Sequence, residues 1–408
     1  MSIKVILDAD VIADFYKDNR TGIFRVTLAF FRELTKNNAI EASYSHLSVL
    51  HNETSTEEIN NFFSENSISI REANQRYRRK FLPLRKEKLF RHFYNKIGIY
   101  NYKNIHLKEV FKKAQIFHSF YYPINNEIRK YENLKKVVTI HDLIPILFPD
   151  LHFNATLIEN IIESIGQDGY AVCVSENTKR DLLNYAPHLN PEHVFVNLLA
   201  ASDSLFYVCH DAEKFNSVKE KYNLPEKYFL SVGTLEPRKN VDFVIRNFIK
   251  VIKENNIKDL GLVLVGAKGW DYDKIFDEYN NAHELKDKII ITGRVPDEDL
   301  ASLYSHAHSF YYMSFYEGFG LPPLEAMQCG VATVTSNTSS LPEVVGDAGI
   351  MLSPNDDESL SQTMLNLYAD ENLRKEYSEK GLERSKLFSW KKSADELVAI
   401  YQKISNHN

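Results

Sequence analysis

Two glutamates eight positions apart, Glu317 and Glu325, bracket the stretch EGFGLPPLEAMQCG (residues 317–330). Between them stand two glycines, two prolines and otherwise only apolar residues. Proline is tolerated at the start of a helix, so Pro322 or Pro323 can open one. Glu325 then falls in its first turn, with Gly330 near the C-terminal cap. A carboxylate there is favoured by the helix dipole, and its two oxygens can accept two vicinal hydroxyls such as those of a ribose. Glu317 precedes the helix in a loop whose glycines allow close backbone approach, and it too can accept sugar hydroxyls. Taken alone, a loop acid and a first-turn acid account for the pair equally well. A second stretch, LSVGTLEPRKNVDFVI, shifts the balance. A strand ends at Gly233, Arg238 and Lys239 follow, and Asn240 is placed to cap the next helix. Two cations beside a helix N-terminus suit a pyrophosphate, where isolated surface charges are otherwise merely solvated. Acids for hydroxyls and cations for phosphates together point to a sugar nucleotide.

The first half holds fewer candidates. TIHDLIPILFPD places His141 just after a strand, where an imidazole can hydrogen-bond a sugar or help stabilise a polarised transition state; a core or capping histidine is the plainer account. NRTGIFRVTLAFFREL opens a helix behind Gly22, which lets the backbone approach a phosphate. Neither GxGxxG nor GxxxxGK[ST] occurs, so dinucleotide cofactors and P-loop chemistry lack their fingerprints. The DAD of residues 8–10 has the form some sugar transferases use to hold a metal. No companion histidine or acid cluster at ligand spacing stands near it, so Asp8 reads as a strand-end or turn acid and no metal is expected.

The elements that must carry these residues are short apolar runs, each followed by a longer helix-like stretch. In the first half they are IKVILDA, ASYSHLSVL, AQIFHSFYY, KKVVTIHDL, YAVCVSE and HVFVNLL; in the second, KYFLSVG, LGLVLVG, KIIITGR, HSFYYMS, GVATVTS and AGIMLSP. Runs of this kind without polar alternation suit strands buried on both faces. Alternation with helices predicts doubly wound parallel sheets. The expected fold class is α/β, with two Rossmann-like domains facing across a cleft and ligands outside the carboxyl ends of the strands. The polar stretch at residues 199–225 is where the connection is expected. The division is residues 1–203, residues 204–385, and a helix over 386–408, capped at Ser389, that stays on the second domain or crosses back to the first.

Composition narrows the class. The chain has 408 residues, ordinary for two or three domains. Its net charge of −6 argues against general nucleic-acid binding. Three scattered cysteines, Cys173, Cys209 and Cys329, suggest neither a disulfide framework nor a zinc site, and a reducing cytosol is the simplest compartment. MSIKVILDADVIADF does not read as a signal peptide, and no run is long and apolar enough to span a membrane. One stretch is strongly basic: REANQRYRRKFLPLRKEKLFRHFYNK (residues 71–96), whose apolar residues from Leu84 to Ile97 recur at helical spacing. A basic amphipathic helix either meets an anionic membrane or packs on its own domain with a solvated face.

Together these residues resemble a retaining glycosyltransferase of family four, with the GT-B fold. The similarity lies in VGTLEPRKN, ITGRVPDEDLASLYSHA and SFYEGFGLPPLEAMQCGVATVTSNTSSLPEVVGDAGI, and more loosely in TGIFRV, TIHDLIP and VSENTKRDLLNY. The resemblance implies catalytic roles for His141, Glu317, Lys239 and Arg238. Arg238 and Lys239 neutralise the donor diphosphate, Glu325 binds the ribose, Glu317 contacts the transferred sugar, and His141 stands near its reacting centre. Gly22 and the backbone of Leu341 face the phosphates, Arg294 and Val295 hold the nucleobase, and Gly318, Phe319, Gly320 and Leu321 complete the donor contacts. Relatives with TGIGRY carry a glycine where this chain has Phe24, which implies a narrower loop or a displaced acceptor. The implied activity is a hexosyltransferase of surface-polysaccharide assembly that uses no cofactor or metal. Its donor would be GDP-mannose, or else dTDP-rhamnose or a UDP-hexose, and its acceptor a glycan or lipid-linked glycan. It would work in the cytoplasm, at the membrane's inner face if residues 71–97 bind anionic lipid. An inactive, transferase-like binding subunit is the alternative from another class.

Overall fold

The strand runs are buried along nearly their whole length, LGLVLV of residues 260–265 without exception, as a sheet covered on both faces requires. The structure, a computed structural model, describes residues 2–16, 22–47, 54–78, 102–151 and 154–406. Its strands in chain order are β1 (Ile3–Asp8), β2 (Ile40–Ser45), β3 (Arg71–Glu72), β4 (Asn74–Arg78), β5 (Tyr102–His106), β6 (Ile116–Ser119), β7 (Lys135–Ile140), β8 (Tyr170–Cys173), β9 (Val194–Val196), β10 (Lys227–Val232), β11 (Leu260–Val265), β12 (Ile289–Gly293), β13 (Ser309–Tyr312), β14 (Thr333–Ser336) and β15 (Ile350–Leu352). Thirteen of them form two large sheets, ordered β3-β2-β1-β6-β7-β8-β9 and β12-β11-β10-β13-β14-β15. Every pairing within either sheet is parallel, from β1 on β2 to β14 on β15. This is the expected pair of Rossmann-like sheets.

Two parts go beyond the sequence reading. Residues 71–78, the head of the basic stretch, are strand: β4 pairs antiparallel with β5, outside both large sheets. The amphipathic helix expected from Leu84 to Ile97 lies outside the described residues. In the polar stretch 199–225, Ala212–Tyr222 is a helix, because Asp211 caps its first turn and Asn223 closes it in a left-handed conformation. It packs on the helix Asp297–Ser305, with Phe215 stacked on His306 at 3.8 Å between ring centroids.

The last helix, Trp390–Asn406, leaves the second sheet and packs on the helix Gly22–Leu34 and on β1. Its buried face fixes it there. His118 of β6 lies 2.6 Å from the Tyr401 hydroxyl and 2.9 Å from that of Thr139. Ser393 donates to Leu198 O at 2.7 Å, and the Trp390 ring meets Phe30 edge-on. No helix among the described residues is long and apolar enough to cross a membrane.

Candidate functional site

After β13 the chain passes through residues 313–320 and enters the helix Leu321–Gln328. Gly320 has φ of 114°, a conformation side chains rarely adopt, and it lets the helix begin immediately afterwards. Glu325 is therefore the fifth helical residue and not a first-turn acid. It lies beyond the reach of most of the dipole effect. Its carboxylate instead accepts from the Tyr304 hydroxyl at 3.0 Å. Burial pushes its pKa up to about 7, against the pull of Arg25 and the Tyr304 bond. Arg25, on the helix Gly22–Leu34, pairs with Asp297 of the other domain. Both line, with Glu325 and Trp390, a cavity of about 660 Å³.

Glu317 sits in the loop as four donors converge on Oε1: Lys239 Nζ at 2.6 Å, Arg238 Nη1 at 2.8 Å, Ser314 Oγ at 2.6 Å and the Tyr312 hydroxyl at 2.9 Å. Burial alone would raise its pKa, but Arg238 and Lys239 outweigh that and hold it at about 2. Lys239 moves the other way. Burial and the neighbouring Arg238 lower its pKa against the pull of Glu317, and its ammonium stands 4.9 Å from the centre of the Tyr312 ring. Arg238 also holds Glu236 Oε1 at 2.6 Å and Tyr316 O at 2.7 Å. Asn240 stands at the N-cap position with φ of 55° but does not cap. Its buried amide donates to Met313 O and Pro354 O, tying the turn to the sheet edge instead.

His141 follows β7 directly, at the carboxyl end of the first sheet. Its Nε2–H donates to Phe120 O at 2.8 Å, which leaves Nδ1 as the ring's acceptor. Burial depresses its pKa, so the ring is neutral. His141 and Arg238, from opposite domains, line one cavity of about 280 Å³ with Tyr121, Ile144, Ile158 and Trp270. The domains approach each other closely here: a Cβ added to Gly318 would stand 1.9 Å from His141 O.

The other candidates are spread around this centre. Gly22 is exposed at the start of its helix, with nothing within 4 Å of a Cβ placed there. Phe24 is buried, its ring centroid 6.2 Å from that of Phe62, and it forms part of the larger cavity's wall. Leu321 lines the same cavity, and Phe319 is buried behind it. Leu341 packs beneath Gly320, and its N–H already bonds Thr338 O at 3.2 Å. Arg294 is exposed and Val295 buried just past β12. Asp8 and Asp10 act as turn acids, accepting from the N–H groups of Asp10 and Leu47. Among the described residues no group of three His, Cys, Asp or Glu is placed to hold a metal ion. Sequence reasoning missed Tyr304, Tyr312 and Ser314, which secure the two glutamates. Their only signal was position at or just beyond a strand or helix end. It also missed Asp181, inside the quoted stretch VSENTKRDLLNY.

Residues 213–384 match the family model of glycosyl transferases group 1. O-antigen chain mannosyltransferase B of Escherichia coli is 33% identical over 296 residues, 71% of this chain and 74% of that protein. A serotype-specific mannosyltransferase, WbdA, also of Escherichia coli, is 30% identical over 64% of this chain, which spans only 32% of that longer protein. The structure of Alr3699/HepE from Anabaena, in complex with UDP and glucose, superimposes with a TM-score of 0.68 over 98% of this chain and 100% of that one, at 12% identity.

Proposed function

We propose that this chain, which belongs to the glycosyl transferases of group 1, moves a mannosyl residue from GDP-mannose to a glycan or lipid-linked glycan, with retention and without a metal. The coarser activity, a hexosyltransferase of polysaccharide assembly, follows from its relatives. The observation that carries the finer proposal is the cavity shared by His141 of one domain and Arg238 of the other, with Glu317 ion-paired behind it. A mannosyl donor is supported by the names of those relatives.

In this proposal Lys239 and Arg238 take up the charge of the leaving diphosphate, the task a metal performs in other enzymes. Glu236 and Glu317 neutralise the two cations beforehand, so the arriving diphosphate exchanges one anionic partner for another. Glu317 and His141 Nδ1 accept hydroxyls of the transferred sugar, and Glu325 accepts those of the ribose. The acceptor hydroxyl attacks from the leaving-group face and gives its proton to the departing phosphate. The contact of Gly318 with His141 keeps water from the reacting centre. The acceptor's sugar lies in the smaller cavity, whose walls offer the apolar faces of Ile144 and Ile158 and the rings of Tyr121 and Trp270. The basic stretch 71–97 would bring the enzyme to an anionic membrane on the cytoplasmic side.

The deciding experiment is a panel of GDP-mannose, dTDP-rhamnose and UDP-hexoses, scored for thermal stabilisation and slow hydrolysis. GDP-mannose should give the largest shift and release GDP with a chelator present. A protein stabilised by no nucleotide sugar sinks the proposal. Stabilisation without turnover points to the inactive binding subunit. Flotation with anionic vesicles at low and high salt checks the membrane contact, and absence of binding at low salt removes it.

A further inference from the structure

We infer that the first turns of the helix Glu176–Tyr185 set the position of Glu317, and that Asp181 is the positioning residue that does so through Tyr316. The consequence for turnover rests on the transferase proposal above.

Glu317 is held by two domains in two different ways. Its carboxylate is fixed by the second domain, through Lys239, Arg238, Tyr312 and Ser314. Its chain neighbours on both sides are fixed by the first. The Tyr316 hydroxyl donates to Asp181 Oδ2 at 2.6 Å and accepts from Asn177 Nδ2 at 2.8 Å. Asn177 donates as well to Asp181 Oδ2 at 3.0 Å, so the three side chains close a ring. On the other side, Gly318 O accepts from Ser175 Oγ at 2.7 Å and Thr178 Oγ1 at 3.1 Å. The N–H groups of Glu176 and Asn177 turn outward to Glu343 of the second domain at 2.8 and 2.7 Å. The N-cap and first two turns of one helix thus grip the loop at residues 316 and 318.

The grip is sensitive to domain separation. An O–H···O hydrogen bond spans about 2.5–3.0 Å, so parting the domains by roughly one ångström releases Tyr316. Tyr316 O is also a ligand of Arg238 Nη1. Glu317's own N–H and C=O stay bonded to Ser339 and Ser340 of the second domain at 2.9 Å each, so releasing Tyr316 loosens the residue before Glu317 and one of the cations that pairs with it. The charge cluster survives opening because its members share one domain; its alignment with His141 does not. Catalytic alignment is in this way tied to closure.

The test uses the full chain with Asp181→Ala, Asp181→Asn and Tyr316→Phe, and the double variant Asp181→Ala/Tyr316→Phe. GDP-mannose and GDP are the probes. Losing a hydrogen bond to a charged group should lower kcat for GDP release about ten- to hundredfold in Asp181→Ala and Tyr316→Phe. GDP affinity should change less than about threefold, because the cations remain. Asp181→Asn keeps an acceptor for the hydroxyl and should recover most of the rate. The double variant should be no worse than either single one. Additive losses, no recovery in Asp181→Asn, or a loss of GDP affinity in place of kcat overturns the assignment. Small-angle scattering decides the grip without any substrate: Asp181→Ala and Tyr316→Phe should enlarge the radius of gyration and Asp181→Asn should not. An unchanged radius in both overturns it. If the wild-type protein releases no GDP while the radii shift as stated, the donor proposal falls and the grip stands.

Discussion

Glu317 Oε1 lies 2.6 Å from Lys239 Nζ; Glu317 is buried and the lysine side chain is 13% exposed. A buried pair of this kind is expensive to break from one side, at about 3–5 kcal/mol. Glu317→Ala should therefore lower stability by that order in urea denaturation and reduce turnover about a hundredfold or more. Nucleotide binding should hold or tighten, since the freed cations meet the diphosphate unopposed. Equal loss of binding and turnover contradicts a sugar-facing role. The pKa of Glu317 is depressed to about 2 against an unfolded value of about 4.3. Its stabilisation is thus present above that value and lost as pH falls from about 4 towards 2. The stability gap between wild type and Glu317→Gln should shrink over that window.

Glu236 occupies Arg238 Nη2 at 2.6 Å before any ligand arrives. Glu236→Gln removes a competing anion and should tighten GDP binding by up to about tenfold, as read by calorimetry. Weaker binding would show that Glu236 orients Arg238 more than it competes for it.

Gly318 leaves no room for a side chain facing His141 O. Gly318→Ala should force the domains apart, abolish transfer and leave GDP affinity within a few-fold. Normal transfer in this variant would mean that the reaction does not need the close approach.

Glu325 titrates near 7 because it is buried. The folded state holds its proton between about pH 4.3 and 7, so this group's contribution to stability falls as pH rises through that window. A ribose needs the ionised form as acceptor. GDP affinity should rise about tenfold from pH 6 to 8, following the ionised fraction, and should be flat in Glu325→Gln.

Tyr401 is the buried partner of His118. Tyr401→Phe leaves a polar ring nitrogen unsatisfied and should cost about 1–3 kcal/mol in denaturant unfolding, with no change in nucleotide affinity.

Much of the architecture was legible because buried parallel strands write themselves as unbroken apolar runs, and twelve of the fifteen strands among the described residues were read from such runs. The exceptions, β3, β4 and β5, are polar and sit at an edge or outside the sheets, where burial leaves no pattern. Glu325 was placed one or two residues too early in its helix because a spacing argument started the helix at a proline, while the backbone starts it at Leu321 behind the N-cap Gly320. Asn240 has a capping residue's identity, yet a left-handed backbone turns its amide to two carbonyls far along the chain. The grip of Asp181 on Tyr316 joins residues 135 positions apart and has no local signature at all.

The final helix carries a consequence for modular exchange. Residues 390–406 are contiguous in sequence with the second domain but lodge against the first, through Trp390, Ser393 and Tyr401. A chimera that swaps the second domains of two such chains at a single junction near residue 204 would give the recipient a foreign helix beside Phe30 and His118. Two junctions, with residues 390–406 retained from the parent that supplies the first domain, should yield the better-folded hybrid.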